Sequence, residues 1–259
     1  MKNKASKQTI ERIIFVAVIL IGWEIIYRAG VFPKLMSPSI GDILKSLANG
    51  FKNEGLLGMV GYSLQLIMKG LGIGILLAFV LSSLSILSET VNNLYSMLVS
   101  LFDLIPGVAL IPLAILWFGI GEEPIIFIVV HSIIWPMSRS IIDGFKSVPK
   151  IFLESGANMG LSGWKIVWYV YLPAAFGSLL SGLRIGWARA WRGLISAEMI
   201  FGTTSSGAGI GWFIFMKRSN VDIAGVFAAL IVIILIGVIV EHLFFGTLEK
   251  HTIRKWEGK

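Results

Sequence analysis

The 259-residue chain contains no cysteine. That one absence excludes disulfides, thiolate nucleophiles and Cys-ligated metals. Charge is scarce as well: Asp, Glu, Lys and Arg make up 14% of residues, against a usual ~25% in soluble domains. The three histidines, His131, His242 and His251, are scattered, so no H-E-x-x-H or similar metal-ligating cluster forms. No G-x-x-x-x-G-K-[ST] phosphate loop is present. The nearest fragment, Gly144-Phe145-Lys146-Ser147, follows an apolar run rather than a strand. No G-x-S-x-G nucleophile elbow is present either. The sequence shows no means of hydrolysing anything and no cofactor site of its own. Any uphill work must be driven by a partner or an ion gradient.

Apolar residues fill the space that charge leaves. They are 56% of the chain, and the 29 glycines bring that set to about two thirds, where soluble domains sit near ~45–50% on the same count. Such a chain could not cover a water-facing surface with polar groups, so an integral membrane protein is expected. The net charge of +7 and pI near 9.7 then belong to loops that set orientation, not to nucleic-acid binding.

Six apolar runs follow one another: Ile13 to about Tyr27, Leu71 to Leu87, Leu94 to Ile120, Ile125 to Ile142, Val167 to Ile200, and Ile223 to about Phe245. With their flanks, each reaches the ~20 residues that a helix needs to cross ~30 Å of hydrocarbon. Strand-like alternation is missing, and backbone groups must be satisfied within each span. The expected fold is an all-α, six-transmembrane-helix bundle, one domain over residues 1–259, with a core at about 56–248 and an N-terminal span at 13–29. Trp23, Glu24 and Tyr27 close the first run like an interfacial anchor rather than a cleavage site. Pro106 and Pro112 interrupt the third run and Pro136 the fourth, where they can kink the helix. Ile40, Ile43, Leu44, Leu47 and Phe51 repeat at helical spacing behind Ser39, which predicts a capped amphipathic helix. Gly202 to Gly211 reads as a tight turn or re-entrant segment.

Six spans place both termini on one side. Lys2, Lys4, Lys7, Arg12, Arg139, Lys146, Lys150, Lys165, Lys250, Arg254, Lys255 and Lys259 fall on that side, twelve positives in all. Arg28, Lys34, Lys45, Lys52, Lys217 and Arg218 fall opposite, six in all. The bias puts both termini and the 143–166 loop in the cytoplasm. In that loop Pro149 suits a first helical turn, Glu154 lies toward the positive helix end, and Gly160 and Gly163 suit a stop and a turn. A short helix flanked by two spans is a mechanical handle: a partner that grips it can tilt both.

The loop carries a family resemblance. Glu154-Ser155-Gly156, three residues, Gly160, nine residues, Val170, one residue and Leu172-Pro173 resemble the E-A-A-x₃-G-x₉-I-x-L-P pattern of binding-protein-dependent ABC importer membrane subunits. Leu110 to Glu122, Leu172 to Ala175, Gly182 to Gly186 and Ala197-Glu198-Met199 are similar to the nitrate/sulfonate/taurine-type subfamily. The resemblance implies a bacterial inner-membrane permease working as a homodimer with two copies of a cytoplasmic ATPase and an extracytoplasmic solute-binding protein. ATP and Mg would be bound by the ATPase. Glu154, Ser155, Gly156, Ala157 and Gly160 would form the coupling helix that docks into it. The cargo implied is a small organic or inorganic anion such as a sulfonate or nitrate, with a heterocyclic vitamin precursor as the alternative. An ion-coupled secondary transporter is the rival; an inverted repeat or a self-contained coupling site would support it.

Ionisable residues inside spans are functional candidates because burying them is costly. Arg184, Trp191 and Glu198 are seven apart and fall within about 40° of one helix face, with Arg192 about 80° and Arg189 about 140° from Arg184. The Arg184/Trp191/Glu198 face is expected to look into the bundle or a dimer seam. It is either a pathway lining that favours an anion or a buried structural network, and Asp103 is one candidate partner of Arg184. His131 and Trp135, four apart, share a face, and packing is the simpler reading of that histidine.

Overall fold

The structure is a computed structural model and describes residues 2–33 and 35–252, the side chains of residues 2–9 excepted. The expectations resting on Lys2, Lys4 and Lys7 side chains, Lys34, Arg254, Lys255 and Lys259 therefore lie outside the described residues. Helices dominate: α1 (Lys2–Arg28), α2 (Ile40–Asn53), α3 (Leu56–Ile86), α4 (Glu89–Phe102), α5 (Ile111–Phe118), α6 (Glu122–Lys146), α7 (Lys150–Asn158), α8 (Trp164–Ile166), α9 (Leu172–Ala174), α10 (Phe176–Phe201), α11 (Ile210–Ser219), α12 (Ile223–Ile239) and α13 (Gly246–His251). Among the described residues the only β feature is an isolated bridge between Thr204 and Gly207, which makes residues 202–211 the expected tight turn. The chain divides into two compact units, Met1–Leu57 with Phe213–Ile233, and Gly58–Trp212 with Ile234–Lys259.

Among the described residues, three helical stretches are long and apolar enough to cross a membrane: α3, α6 and Ile223–His251. Two more spans arise if bent pairs are counted as one each: Glu89–Phe102 with Gly107–Phe118, bent by 89°, and Trp164–Ala174 with Phe176–Phe201, bent by 77°. The second to sixth expected runs are thus all present as helix. The sixth span of the count would come from α1, whose apolar stretch carries Glu11, Arg12, Glu24 and Arg28. Proline accounts for the bend in the third run. Pro106 has an extended backbone (ψ 126°) ahead of a 3₁₀ turn at Gly107–Leu110, and Pro112 opens α5 where a missing N–H does no harm. Pro136 by contrast lies inside the continuous α6.

In the larger unit, α6 and α10 pack backbone to backbone. A Cβ at Gly144 would meet Ser178 Cβ at 2.6 Å, one at Gly182 would meet Ser140 Cβ at 2.5 Å, and one at Gly193 would meet Ser132 Oγ at 2.9 Å. Between lipid-bathed helices there is no hydrophobic driving force, so close van der Waals approach and interhelical hydrogen bonds must hold them. Tyr95 on α4 supplies one such bond, hydroxyl to hydroxyl with Ser138 on α6 at 2.7 Å.

In the smaller unit, Ser39 caps α2. Its hydroxyl accepts the Asp42 N–H at 3.1 Å, and the Asp42 carboxylate answers at the Ser39 N–H, which completes a capping box. The hydrogen bond with the Ser39 hydroxyl holds the Asp42 carboxyl below its ordinary value. Trp23 donates from Nε1 to the Pro38 carbonyl at 3.0 Å and meets Phe227 edge-on at 5.2 Å. Lys217 bridges Glu54 and Asp222, each at 2.8 Å, and Asp222 caps α12 by accepting the Gly225 N–H at 2.9 Å.

Candidate functional site

The α6–α10 connection folds as its residues predict. Pro149 is the N-cap of α7, and its fixed φ suits the entry to a helix. At the other end the Leu161 N–H reaches the Gly156 carbonyl at 3.0 Å and the Gly160 N–H reaches Ala157 at 2.9 Å. Those two bonds are the Schellman closure, and they require a left-handed residue between them. Gly160 fills that position at φ +77°, and Gly163 turns the chain again at φ +53°. Glu154, Ser155 and Ala157 are exposed, as is Gly160. Glu154 forms no ion pair among the described residues. Gly156 is the buried member of the set: a Cβ there would come within 3.0 Å of Val170 Cγ2. So Gly156 and Val170, far apart in the motif, are packing partners, and small size at 156 lets α7 lie against the following segment. Beside α7 an apolar groove of about 880 Å³ is lined by Phe152, Met159, Leu161, Tyr169, Val170 and Pro173, among others. The segment from Trp164 to Ala174 includes a π-helical stretch at Val167–Tyr171 and ends at the 77° bend beyond Leu172-Pro173. Phe145 at the end of α6 packs against Tyr171 at 5.2 Å, which ties the two flanks of the handle together.

The intramembrane charges pair differently from the sequence-based expectation. Asp103 does not pair with Arg184. It binds Arg189 closely and Arg139 at 3.6 Å. The 89° bend carries Asp103, at the end of α4, toward the face of α10 that bears Arg189. Arg184 instead meets Glu241 at 3.0 Å and Glu249 at 3.3 Å, with its guanidinium 5.5 Å from the Phe245 ring centre. The π-helical turn Val240–Phe245 presents Glu241 and Phe245 together to that arginine. Glu198 is 1% exposed. Ser63 Oγ donates to it at 2.7 Å and the Gly211 N–H at 2.9 Å, while Ser63 itself accepts the Ile210 N–H at 2.9 Å. Trp191 is buried and lies between these two ends of the predicted face. It stacks on Trp187 at 5.9 Å. Arg184 and Glu198 therefore each bind α10 to other segments, Trp191 stacks within α10, and among the described residues no contact joins any two of the three.

A different set does converge. A cavity of about 380 Å³ opens at the bend of the third run, between α4, residues 105–108, α6 and α10. Asp103, His131, Ser132, Trp135, Arg189 and Arg192 carry its polar chemistry. Phe102 stacks on Trp135 at 5.0 Å and 18°, and His131 meets Trp135 edge-on at 5.9 Å. Sequence reasoning named Asp103 and set Arg189 and Arg192 aside by their angle from Arg184. The signal was present: Arg189, Arg192, Gly193 and Ser196 recur at helical spacing as one polar, small-residue stripe.

A multi-helix bundle with bent spans, a protruding glycine-closed helix and a charged cavity within the membrane segments is the architecture of a transport subunit, with no metal-holding cluster among the described residues. The chain belongs to the binding-protein-dependent transport system inner membrane component family, whose model matches residues 70–252. It is similar over 242 residues, at 31% identity, to a Methanocaldococcus jannaschii protein provisionally described as an ABC transporter permease, covering 91% of this chain and 88% of that one. The taurine transport system permease protein of Escherichia coli K12 is 29% identical over 259 residues, 98% of this chain and 92% of the relative. The formylaminopyrimidine transport permease protein of Halalkalibacterium halodurans is 26% identical over 236 residues, 91% and 92% respectively. The chain is accordingly a non-catalytic, multi-pass membrane subunit of an ABC importer. Membership of that family implies an ATPase and a binding protein as partners.

Proposed function

We propose that this chain forms the permease path through which an ABC importer moves a small anion by alternating access. A sulfonate resembling the cargo in the taurine relative's name is the favoured class, with nitrate a smaller member of the same charge type. Two copies of the chain pair as a homodimer, and α1 supplies a first membrane span at residues 13–29. Both termini and α7 face the cytoplasm of a bacterial cell. Two copies of the partner ATPase bind ATP and Mg and grip α7 through exposed Glu154, Ser155 and Ala157, while Gly156 and Gly160 fix its seat and its end. ATPase closure pulls α7. Because only Ser147 and Val148 separate α6 from Pro149 and the 77° elbow leads into α10, the pull tilts both helices and opens the outer mouth to the docked binding protein.

One observation carries this reading: α7 is an exposed, capped helix with an unpaired acid and an apolar groove beside it, seated on the elbow of a membrane segment. The test is reconstitution of the chain with its ATPase and binding protein in proteoliposomes. ATP-dependent uptake of labelled taurine or nitrate is expected, and Glu154→Lys should lower it at least tenfold while membrane insertion persists. Uptake by the chain alone, with no ATPase present, would overturn the reading.

A further inference from the structure

The cavity at the third-run bend gathers charged and aromatic side chains within one opening. His131 is 7% exposed, yet both ring nitrogens lack a hydrogen-bond partner. The Trp135 Nε1–H is buried without one as well. Buried polar groups are ordinarily satisfied, because leaving one bare costs about 1–3 kcal/mol. Here two such side chains line one opening. Arg192 lines it too. Its Nε donates to the Ala188 carbonyl at 3.0 Å, and no carboxylate lies within ion-pairing distance among the described residues. The other lining arginine, Arg189, pairs with Asp103, which Arg139 also approaches at 3.6 Å. The lining therefore presents a net positive charge and the Phe102–Trp135 aromatic wall, with the unsatisfied ring nitrogens buried behind its surface. An unpaired charge inside membrane segments marks a solute path by default. The volume of about 380 Å³ falls in the ~300–1,000 Å³ range of small-molecule sites.

We propose that this cavity binds the oxyanion head of a small organic anion, a sulfonate or carboxylate, as it crosses the membrane segment. Arg192 supplies the charge and the charged hydrogen-bond donors, and the aromatic wall covers the apolar body. Asp103 keeps Arg189 engaged, so the site holds a monoanion without trapping it. A site on a conduction path must bind well enough to admit its solute and weakly enough to release it. The inference rests on the permease reading and names where within the path the cargo is recognised.

The cysteine-free sequence gives a direct assay. Ser196→Cys places a single thiol in the lining, with Ser132→Cys as the second site should the first fail to insert. The full chain, bound to its ATPase in proteoliposomes, is labelled with 2-sulfonatoethyl methanethiosulfonate and with its trimethylammonioethyl counterpart. Relative to a free thiol in solution, the anionic reagent should be favoured at least tenfold. Methanesulfonate or benzenesulfonate should slow the labelling. Arg192→Gln should cut the preference at least fivefold, and Arg192→Lys should restore part of it. A reagent preference within twofold of the free thiol, or one that Arg192→Gln leaves unchanged, would overturn the site. If the ATPase does not co-purify with the unmodified chain, the permease reading fails instead, and the labelling ratio is still measurable in the chain alone.

Discussion

At Glu198 a single carboxylate satisfies the Ser63 hydroxyl and the Gly211 N–H. Removing it strands both, at about 1–3 kcal/mol for each unsatisfied group. Glu198→Ala should therefore lower the unfolding temperature of the detergent-solubilised protein by several degrees, whereas Glu198→Gln, which still offers a carbonyl oxygen, should lower it less. Equal melting of the two variants would show that the acceptor is not what matters there. Asp222 gives a pH-dependent case outside the membrane spans. Burial alone would raise its carboxyl, but hydrogen bonds from Lys217 and the Gly225 N–H outweigh that and hold it below its ordinary 3.8. A depressed folded value means a stabilising contribution that is complete above about 3.8 and lost as pH falls through the folded value. Between pH 7 and pH 3, thermal unfolding of the native chain should lose more than that of Asp222→Asn. A parallel decline in both would remove Asp222 as the source.

The element with the most at stake is α7, and its ends were legible in the sequence for a physical reason. Pro149 restricts its own φ and removes a donor, and Gly160 permits the left-handed conformation that few residues adopt, so both ends are marked without tertiary information. Gly160→Ala should cost roughly 1–2 kcal/mol because a Cβ is disfavoured in the left-handed region. The expected result is a severalfold drop in ATPase co-purification with normal membrane insertion; unchanged co-purification would separate the cap from docking. Gly156→Leu should be worse, because Val170 leaves no room. The partners of the intramembrane arginines were not legible in the same way. Helical angle puts Arg184, Trp191 and Glu198 on one face of α10, but a face says nothing of what lies opposite. That depends on the 89° bend near Pro106, whose size no residue type specifies, and on the π-helical turn that brings Glu241 to Arg184. The prolines announced a break; they did not announce that Asp103 would swing to Arg189.

For the whole molecule, the decisive quantity is which side of the membrane α7 occupies, because only a cytoplasmic handle can meet an ATP-driven partner. Positive charges at short loops argue for the cytoplasm. Lys150 opens α7, and Lys146 and Lys165 lie on either side of it. Arg139, counted with them from the sequence, lies within α6 and binds Asp103, so it contributes to the span rather than to the loop. Lys69, within α3, pairs with Glu122 at 2.8 Å, which offsets its charge and leaves the loop bias intact. Single thiols at Ser155 and Ser162, both exposed, read the side directly in a chain that has no other cysteine. An impermeant maleimide should leave both unlabelled in intact cells and label both after permeabilisation. In inside-out vesicles the ATPase should shield Ser155→Cys on α7 while Ser162→Cys, beyond the Gly160 closure, stays reactive. Labelling of either thiol from outside intact cells would place the handle on the wrong face and disconnect the bent spans from any ATP-driven pull.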